Sequence, residues 1–467
     1  MKRVVVIGNG MAGARVVDEL LRRDPSLRIT VFGAEQQPSY NRILLSDVLA
    51  GKRRQQDVAL VEVDGPVRHL GVAVTRIDRA ARTVHAADGT DASYDALVLA
   101  TGSLPVVPPV HGIAGPDGNL LDGVFVFRTL EDCAAIAKRA KRATRAIVVG
   151  GGLLGLEAAR GLLQHGLRVD LVHGMGHLMD VQLDPAAGAV LRRSVEALGV
   201  EVHLGSFASR VAGSRTVTGV GLADGRVVDG DLVVLACGVR PNVALARDAG
   251  LAVERGVVVD DLLLTDDPDV FAIGECAQHR GEVYGLVAPA WEQAAVVADV
   301  LTGRPAVYGG SRLVARLKAM DLEVAAMGDT APGLEDIGDG QEVLVYADPA
   351  GHVYKKLVVR DGVLVGAILL GDLSTVGPVT QAFDRGTPLP ADRTGLLFAP
   401  RKASAPEDLA DTDTVCTCNG VTAGELRDSG CRSIAEVALK TRATTGCGTC
   451  TSVVKTLLAP RQERTVA

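Results

Sequence analysis

The sequence contains one pattern twice: a short apolar run, a glycine-rich turn and an amphipathic stretch, followed by another apolar run. The first copy is RVVVIGNGMAGARVVDELLRR (Arg3–Arg23), and RITVFGAE follows it. The second copy is RAIVVGGGLLGLEAARGLLQHG (Arg145–Gly166), and RVDLVHG follows it. Each copy predicts a strand–helix–strand unit in a parallel sheet. Because a single α/β domain does not need two such openings, the duplication predicts two separate α/β domains.

The glycines of both turns have the spacing GxGxxG of Rossmann-like dinucleotide-binding domains. They are Gly8, Gly10 and Gly13 in the first turn, and Gly150, Gly152 and Gly155 in the second. The first glycine allows the tight turn, the second lets a pyrophosphate approach the backbone, and the third lets helix and strand pack closely. One such turn is a weak signal, because glycine turns without a ligand also match it. Two copies, each between an apolar run and a helix, predict two Rossmann-like domains that bind dinucleotides.

The residue that ends the second strand of each unit indicates which nucleotide it binds. Glu35 follows the first unit's second strand, where it can accept hydrogen bonds from an adenosine ribose or lie in a solvated turn. The second unit carries His173 there and no carboxylate, and no Arg or Lys follows at once to bind a 2′-phosphate. The pattern favours NADH over NADPH without excluding NADPH.

Composition and charge argue against several classes of function. A chain of 467 residues predicts more than one domain. The net charge of -7, mixed in sign along the sequence, argues against binding to nucleic acid or to a membrane surface. Gly, Arg or Glu interrupts every long apolar run, and the opening KRVVVIGNG leads directly into a strand, so we expect neither a membrane span nor a signal peptide. We therefore expect a cytoplasmic protein whose cysteines react or bind metal.

The last third of the chain predicts three further segments. From about residue 312 to 390 the pattern is β-rich, as in KKLVVRDGVLVGAILLG, which predicts a mixed α+β domain. The stretch FAPRKASAPEDLADTD (Phe398–Asp413) has the composition of a linker. A short module with four cysteines then closes the sequence.

Those four cysteines form two close pairs, Cys416-x-Cys418 and Cys447-x-x-Cys450. Thiolates bind zinc or iron–sulfur clusters, and a CxC pair is less typical of zinc. The spacing favours an iron–sulfur cluster, with zinc or disulfides as alternatives.

The other four cysteines, Cys133, Cys237, Cys276 and Cys431, each stand alone and are predicted to be buried structural thiols. No cysteine precedes Cys133, so we expect no redox-active dithiol and no catalytic residue of that type.

Five motifs together resemble the two-dinucleotide flavoprotein reductases of the glutathione-reductase type, in the pyridine nucleotide-disulfide oxidoreductase superfamily. They are VVVIGNGMAG, LATGSLP, VVGGGLLGLEAA, LACGVRPN and VFAIGECA. EQQPSYNRILLS, QLD and AIGECAQHRGEVYGLVAPAWEQA are similar to the N-terminal half of the large subunit of NADH-dependent nitrite reductases and to the electron-transfer subunit of assimilatory nitrate reductases. CTCNGVT and TGCGTC resemble the ends of a BFD-like [2Fe–2S] domain, although the segment between them is slightly shorter than usual.

The resemblance implies a division of the chain into domains. An FAD-binding domain would comprise residues 1–112 and 239–305, with an NAD(P)H-binding domain at 113–238 inserted between its halves. An α+β interface domain would follow at 306–397, then a linker at 398–413 and a small helical BFD-like domain at 414–460. The [2Fe–2S] ligands would be Cys416, Cys418, Cys447 and Cys450.

The resemblance also implies cofactor-binding residues outside the glycine turns. Arg42 and Ser46 would lie along FAD, and Glu275 would contact its ribityl chain. The helix that begins near Pro289 would point its N-terminus at the pyrimidine edge of the flavin, where reduction places negative charge. Further contacts would come from the motif residues Met11, Ala12, Ala100, Thr101, Gly102, Gly238 and Gly274.

Three positions need separate treatment. Glu157 corresponds to a residue near the nicotinamide, and a packing role in its helix is the alternative. Glu275 stands where the wider superfamily usually carries Asp. The Glu at this position matches the nitrite-reductase branch that the chain resembles. Asp47 stands where several relatives carry Lys beside the flavin.

The implied function is transfer of electrons from NAD(P)H through FAD and a [2Fe–2S] cluster to a partner protein. The catalytic subunit of an assimilatory nitrate (or nitrite) reductase is the expected partner, and the interface domain makes a homodimer possible. Because a nitrite-reductase large subunit continues into a siroheme and [4Fe–4S] domain, we do not expect this chain to reduce nitrite alone. Two alternatives remain: the FAD-containing subunit of a heteromeric opine- or imino-acid-type dehydrogenase, and a redox-sensing module without turnover.

Overall fold

The computed structural model describes residues 1–115, 117–319, 322–338, 340–398, 409–446, 448 and 450–458. Most of the predicted linker, the predicted ligand Cys447 and the last two residues of the predicted BFD-like domain therefore lie outside the described residues. None of the helices in the described part of the chain is both long and apolar enough to cross a membrane.

The first α/β unit opens with a strand of buried β-branched residues. Its elements are β1 (Arg3–Ile7), α1 (Met11–Arg23), β2 (Arg28–Gly33), α2 (Leu45–Leu49), β3 (Val67–Leu70), β4 (Val74–Asp78), β5 (Thr83–Ala86), β6 (Asp91–Ser93), β7 (Ala96–Leu99) and β8 (Ser103–Pro105). A short helical turn, Arg42–Leu44, precedes α2. Val16, Val17 and Leu20 of α1 are buried against the sheet, as the helical spacing of apolar residues predicts.

The second unit repeats this order. Its elements are β9 (Val124–Val126), α3 (Leu130–Ala140), β10 (Arg145–Val149), α4 (Leu153–Gln164), β11 (Arg168–His173), α5 (Pro185–Ala197), β12 (Val200–Leu204), β13 (Ala208–Ala212), β14 (Gly219–Leu222), β15 (Val227–Asp229) and β16 (Leu232–Leu235).

The chain then returns to the first unit. The returning elements are β17 (Val239–Pro241), α6 (Ala244–Asp248), β18 (Val257–Val259), β19 (Val270–Ala272), β20 (Ala277–His279) and α7 (Val287–Leu301). The outgoing strand β8 and the returning strand β17 pair with each other in antiparallel fashion, so the two crossings between the units lie side by side.

The two units have matching sheets. The first sheet has the order β19–β7–β1–β2–β3 and the second β12–β11–β10–β16–β9, and all neighbours in both are parallel. Each unit also has a three-stranded antiparallel sheet, β4–β5–β6 and β13–β14–β15. The predicted duplication of a Rossmann-like unit is therefore confirmed.

An antiparallel sheet follows α7 in the chain. Its elements, with the helices that accompany them, are β21 (Val314–Ala319), β22 (Leu322–Gly328), β23 (Gln341–Asp348), β24 (Val353–Arg360), β25 (Val363–Leu370), α8 (Val376–Arg385) and α9 (Thr394–Leu397). One face packs on α4 and α5 of the second unit, and α8 covers the other. The predicted mixed α+β domain is confirmed.

The closing module is small and mostly helical. It consists of β26 (Thr414–Cys416), a helical turn (Thr417–Asn419), β27 (Val421–Thr422), α10 (Ala423–Asp428), α11 (Ile434–Thr441) and α12 (Thr451–Leu458). Val421, Leu426, Val437 and Val454 form its core. Thr422 caps α10 in a capping box with Glu425, so the helix begins directly after the hairpin.

Candidate cofactor sites

The two glycine turns have almost the same geometry. Gly8 has φ +114°, and a Cβ there would lie 2.1 Å from the carbonyl oxygen of Ala100; Gly150 has φ +119° with the corresponding distance of 2.2 Å to Ala236. Neither position accepts a side chain.

The other glycines of each turn complete the pattern. A Cβ at Gly13 would lie 1.8 Å from the Gly8 oxygen, and the same distance separates a Cβ at Gly155 from the Gly150 oxygen. By contrast, a Cβ at Gly10 or Gly152 would meet no atom within 4 Å. Each turn is therefore closed on its sheet side and open at the second glycine, the side from which a pyrophosphate would approach. Both turns fit a dinucleotide.

Glu35 lies in a polar cluster beside the first turn. Its Oε2 accepts a hydrogen bond of 2.6 Å from the Tyr40 hydroxyl, and its Oε1 accepts one of 2.6 Å from Arg42 Nη2. The Arg42 guanidinium also lies 4.8 Å from the centroid of the Tyr40 ring. Two residues predicted independently to contact FAD, Glu35 and Arg42, are thus direct neighbours.

The cluster continues through Arg128 to Glu275. Arg42 Nη1 donates a 2.6 Å hydrogen bond to the Arg128 carbonyl, and the Arg128 guanidinium forms an ion pair with Glu275. Ser103 Oγ donates to the same carboxylate at 2.8 Å. Arg128 and Ser103 are not among the residues predicted from sequence. Ser103 belongs to the LATGSLP motif and could have been found there, whereas no motif marks Arg128.

The segment that contains Glu275 is tied to α7. The backbone N–H of Gly274 donates a 2.7 Å hydrogen bond to the side-chain oxygen of Gln293, in the helix that carries Pro289. Gln293 is buried. The two segments predicted to face the flavin therefore hold each other in place.

Ser46 and Glu157 meet where the first unit contacts the second. The Ser46 side chain, in α2, lies close enough to the Glu157 carboxylate in α4 to lower the pKa of that group. Burial raises the pKa of Glu157 to about 7, and the nearby charge of Asp47 adds to the effect. Asp47 itself pairs with Arg53 at 3.2 Å. A protonatable carboxyl group thus lies between the predicted FAD side and the predicted nicotinamide side.

His173 is held by both ring nitrogens beside the second turn. Nδ1 accepts from the backbone N–H of Gly151 at 3.1 Å, so the proton is on Nε2, which lies 2.9 Å from an Asp180 carboxylate oxygen. A backbone donor on Nδ1 requires that nitrogen to be unprotonated.

Three of the four predicted cluster ligands lie in or against the core of the closing module: Cys416 and Cys450 are part of it, and Cys418 packs against it. The Cys416 thiol interacts with Cys450, and the Asn419 side-chain amide donates to Cys416 Sγ at 3.6 Å. These contacts lower the pKa of Cys416 to about 6, against the effect of burial. A Cβ at Gly446 would lie 2.7 Å from the Cβ of Cys418. Cys447 lies outside the described residues. The described donors are thiols, the ligand type that holds an iron–sulfur cluster, so the residues present fit that group.

The lone cysteines lie in different surroundings. Cys133, Cys276 and Cys431 are buried, and Cys237 is partly buried. Burial raises the pKa of Cys133 and of Cys237 to about 11. Thiols in such surroundings are inert, as expected for structural residues.

Comparison with known families covers most of the chain. Residues 2–294 match the family described as pyridine nucleotide-disulphide oxidoreductase, and residues 314–387 match the rubredoxin NAD+ reductase C-terminal domain. Residues 414–460 match the BFD-like [2Fe-2S] binding domain. The predicted family and the predicted cluster-binding module are confirmed.

Curated relatives extend over nearly the whole chain. The nitrite reductase [NAD(P)H] of Bacillus subtilis (strain 168) is 36% identical over 472 residues, covering 98% of this chain and 57% of the relative. The assimilatory nitrate reductase electron transfer subunit of the same organism is 36% identical over 468 residues, covering 98% of this chain and 59% of the relative. The chain thus spans a little over half the length of these two relatives.

A solved structure has a similar fold over most of this chain. The covalent putidaredoxin reductase–putidaredoxin complex is 25% identical, with a TM-score of 0.75 over 84% of this chain and 96% of the other. This structural similarity agrees with the family matches. The chain belongs to the pyridine nucleotide-disulphide oxidoreductase family, and it is an NAD(P)H- and FAD-dependent oxidoreductase that carries a BFD-like [2Fe–2S]-binding domain.

Proposed function

We propose that the protein takes electrons from NAD(P)H bound to the second unit and passes them through FAD on the first unit to a [2Fe–2S] cluster in the closing module. FAD accepts a hydride and can release its two electrons singly, which a [2Fe–2S] cluster requires. From the cluster the electrons go to a partner protein, the catalytic subunit of an assimilatory nitrate (or nitrite) reductase.

The observation that carries the proposal is the position of one short segment, Tyr40–Leu49. Its Ser46 contacts Glu157 of the second unit, and its Asn41 contacts the backbone of Gly446, the residue before Cys447 in the module. The segment Tyr40–Leu49, which begins near Glu35, therefore contacts both the second unit, the proposed NAD(P)H-binding unit, and the closing module, the proposed cluster-binding unit.

The residues of the first unit have assigned roles in this scheme. Gly8, Gly10 and Gly13 would receive the pyrophosphate of FAD at the N-terminus of α1, whose dipole favours the negative charge. Glu35 and Arg42 would hold the adenosine side. Glu275, oriented by Arg128 and Ser103, would hold the ribityl chain, and α7 would stabilise charge on the reduced flavin. These contacts, like the other cofactor contacts predicted from sequence, remain proposals.

The second unit would bind NADH in preference to NADPH. His173 is fixed by Gly151 and Asp180 at the end of β11, where it offers the 2′-phosphate of NADPH no added positive charge. The domain boundaries are those given above, with the NAD(P)H-binding domain at 113–238 inserted into the FAD-binding domain. A homodimer and a cytoplasmic location are part of the same proposal.

Identity to the two Bacillus proteins supports the choice of partner. The test is a reconstituted assay with purified catalytic subunits. We expect nitrate-dependent oxidation of NADH only when this protein and a nitrate reductase catalytic subunit are both present. Nitrite-dependent oxidation with a siroheme subunit would support the nitrite branch instead. Failure with both, together with flavin reduction by an opine or imino acid through a partner, would contradict the proposal.

A further inference from the structure

Asn41 links the flavin-side segment directly to the closing module. Its side-chain amide donates hydrogen bonds to the carbonyl oxygens of Thr445, at 2.8 Å, and Gly446, at 3.2 Å. Its side-chain oxygen accepts from the backbone N–H of Ile43 at 3.1 Å. Asn41 is only 3% exposed. A buried amide whose partners lie about 400 positions away in sequence fixes one surface against another.

A second contact joins the module to α1 and α7. The turn Thr417–Asn419 packs against α7, and Arg15 Nη1 of α1 donates to the Asn419 side-chain oxygen at 3.4 Å. Asn419 is also the donor to Cys416 Sγ. Arg15 lies 5.3 Å from the ring centroid of Trp291 in α7. One side chain, Asn419, thus connects a cluster-ligand sulfur to a helix that begins at the first glycine turn.

A third contact is an ion pair between Arg442 of the module and Asp18 of α1. Asp18 is buried, and burial, together with the charge of Arg15, lowers the pKa of Arg442 to about 10. Separating a partly buried ion pair costs free energy, because each charge would then be buried without an opposite charge beside it. The three contacts surround the turn that carries Cys418, and all three partners belong to the first unit.

We propose that Asn41, Arg15 and the Asp18–Arg442 ion pair dock the cluster module on the flavin unit of its own chain, with Asn41 as the positioning residue for electron transfer between them. The inference rests on the proposed function. NAD(P)H supplies a hydride and solvent supplies a proton to the flavin. The two electrons then leave one at a time through the cluster to a one-electron acceptor protein, and the two protons return to solvent.

The test compares four variants of the full-length holoprotein. Asn41→Asp keeps the oxygen that accepts from Ile43 but replaces the donor to Thr445 and Gly446 with a repelling carboxylate. Arg442→Gln removes the ion pair from the module side. Lys455→Gln is the matched control, because Lys455 is an exposed cation of the same module. The double variant Asn41→Asp/Arg442→Gln removes two contacts together.

Hydrogen–deuterium exchange measures docking without turnover. Loss of the two hydrogen bonds from Asn41 should speed backbone exchange in residues 414–446 by about tenfold, with a larger effect in the double variant. Lys455→Gln should exchange like the wild type. Equal exchange in wild type and double variant would overturn the inference.

Rapid mixing with NADH under anaerobic conditions gives the second readout. In the wild type, cluster reduction should follow flavin bleaching with a rate constant that does not change with protein concentration. The double variant should bleach its flavin at the wild-type rate and reduce its cluster several-fold more slowly. A cluster-reduction rate that rises with protein concentration, or one that the double variant leaves unchanged, would contradict docking within one chain. Absence of flavin bleaching in the wild type would instead contradict the proposed function.

Discussion

The Ser46 side chain and the Glu157 carboxylate meet where α2 of the first unit packs against α4 of the second, and Ser46 partly offsets the rise that burial causes in the pKa of Glu157. A Cβ on Gly161 would lie 2.9 Å from Leu49 Cγ, so the two helices are in close contact along this line. The pair therefore occupies a buried boundary, which explains why the pKa of Glu157 rises to about 7.

Glu157→Gln should remove a pH dependence of stability. Because the folded protein holds the proton more tightly than the unfolded chain, stability falls as the pH rises from the ordinary Glu value of 4.5 towards 7. The shift corresponds to about 3 kcal/mol. The variant should therefore gain melting temperature over the wild type at pH 8 and not at pH 4. Glu282→Gln, at an exposed site, is the control. Identical pH profiles for Glu157→Gln and wild type would refute the assignment.

Gly10→Ala and Gly152→Ala should separate the two cofactor sites. Neither new methyl group meets an atom of the protein, so both variants should fold. Gly10→Ala should purify with little FAD, whereas Gly152→Ala should keep FAD and show a KM for NADH raised by about tenfold, which equals about 1.4 kcal/mol of lost binding.

The control for these two variants is Gly377→Ala in α8, where an added Cβ also meets nothing within 4 Å. Flavin content and KM are the measurements. Normal flavin content in Gly10→Ala would show that the first turn does not bind the cofactor.

Cys416→Ser and Cys450→Ser should each lose the iron–sulfur cluster and keep FAD. The flavin of the remaining protein should still be bleached by NADH, because the proposed flavin and nucleotide sites lie in the two α/β units. Cys431→Ala, which changes the same module outside the predicted ligand pairs, should retain iron. Chemical analysis of iron, sulfide and flavin in each purified variant measures whether the cluster is lost and FAD is kept. Full iron content in the serine variants would exclude these ligands.

Asp184→Ala should destabilise the contact between the second unit and the antiparallel sheet. Asp184 caps α5, accepts from the Tyr354 hydroxyl at 2.8 Å, and pairs with buried Lys356 at 2.7 Å. Its loss leaves Lys356 buried without a counter-charge, at a cost of about 3 kcal/mol or more. Lys356→Met should cost less, because it removes the charge.

Thermal unfolding of the single variants and of the double variant measures the coupling between Asp184 and Lys356. The double variant should be more stable than the sum of the single effects predicts. Strict additivity would show that the ion pair makes no joint contribution.

The glycine turns and the cysteine module could be predicted because local sequence encodes them. Gly8 and Gly150 need backbone angles that side chains oppose, and such requirements leave a mark in any single sequence. Arg128 leaves no such mark. Its carboxylate partner, Glu275, is 147 positions away, and Arg128 lies outside every motif. Asn41 belongs to the quoted stretch EQQPSYNRILLS, but nothing in that stretch indicates its partner Gly446, which is 405 positions away. Contacts of this kind follow from tertiary packing, which periodicity does not report.

The central claim, an electron path from NADH through FAD to the module's cluster, is tested most directly by anaerobic single-turnover mixing of the purified protein with NADH. Flavin absorbance and the paramagnetic signal of the frozen protein should be followed together. We expect the flavin to bleach first and the signal of a reduced [2Fe–2S] cluster to grow afterwards, without any added protein. A bleached flavin with no cluster signal, or a tail that holds zinc alone, would contradict the account.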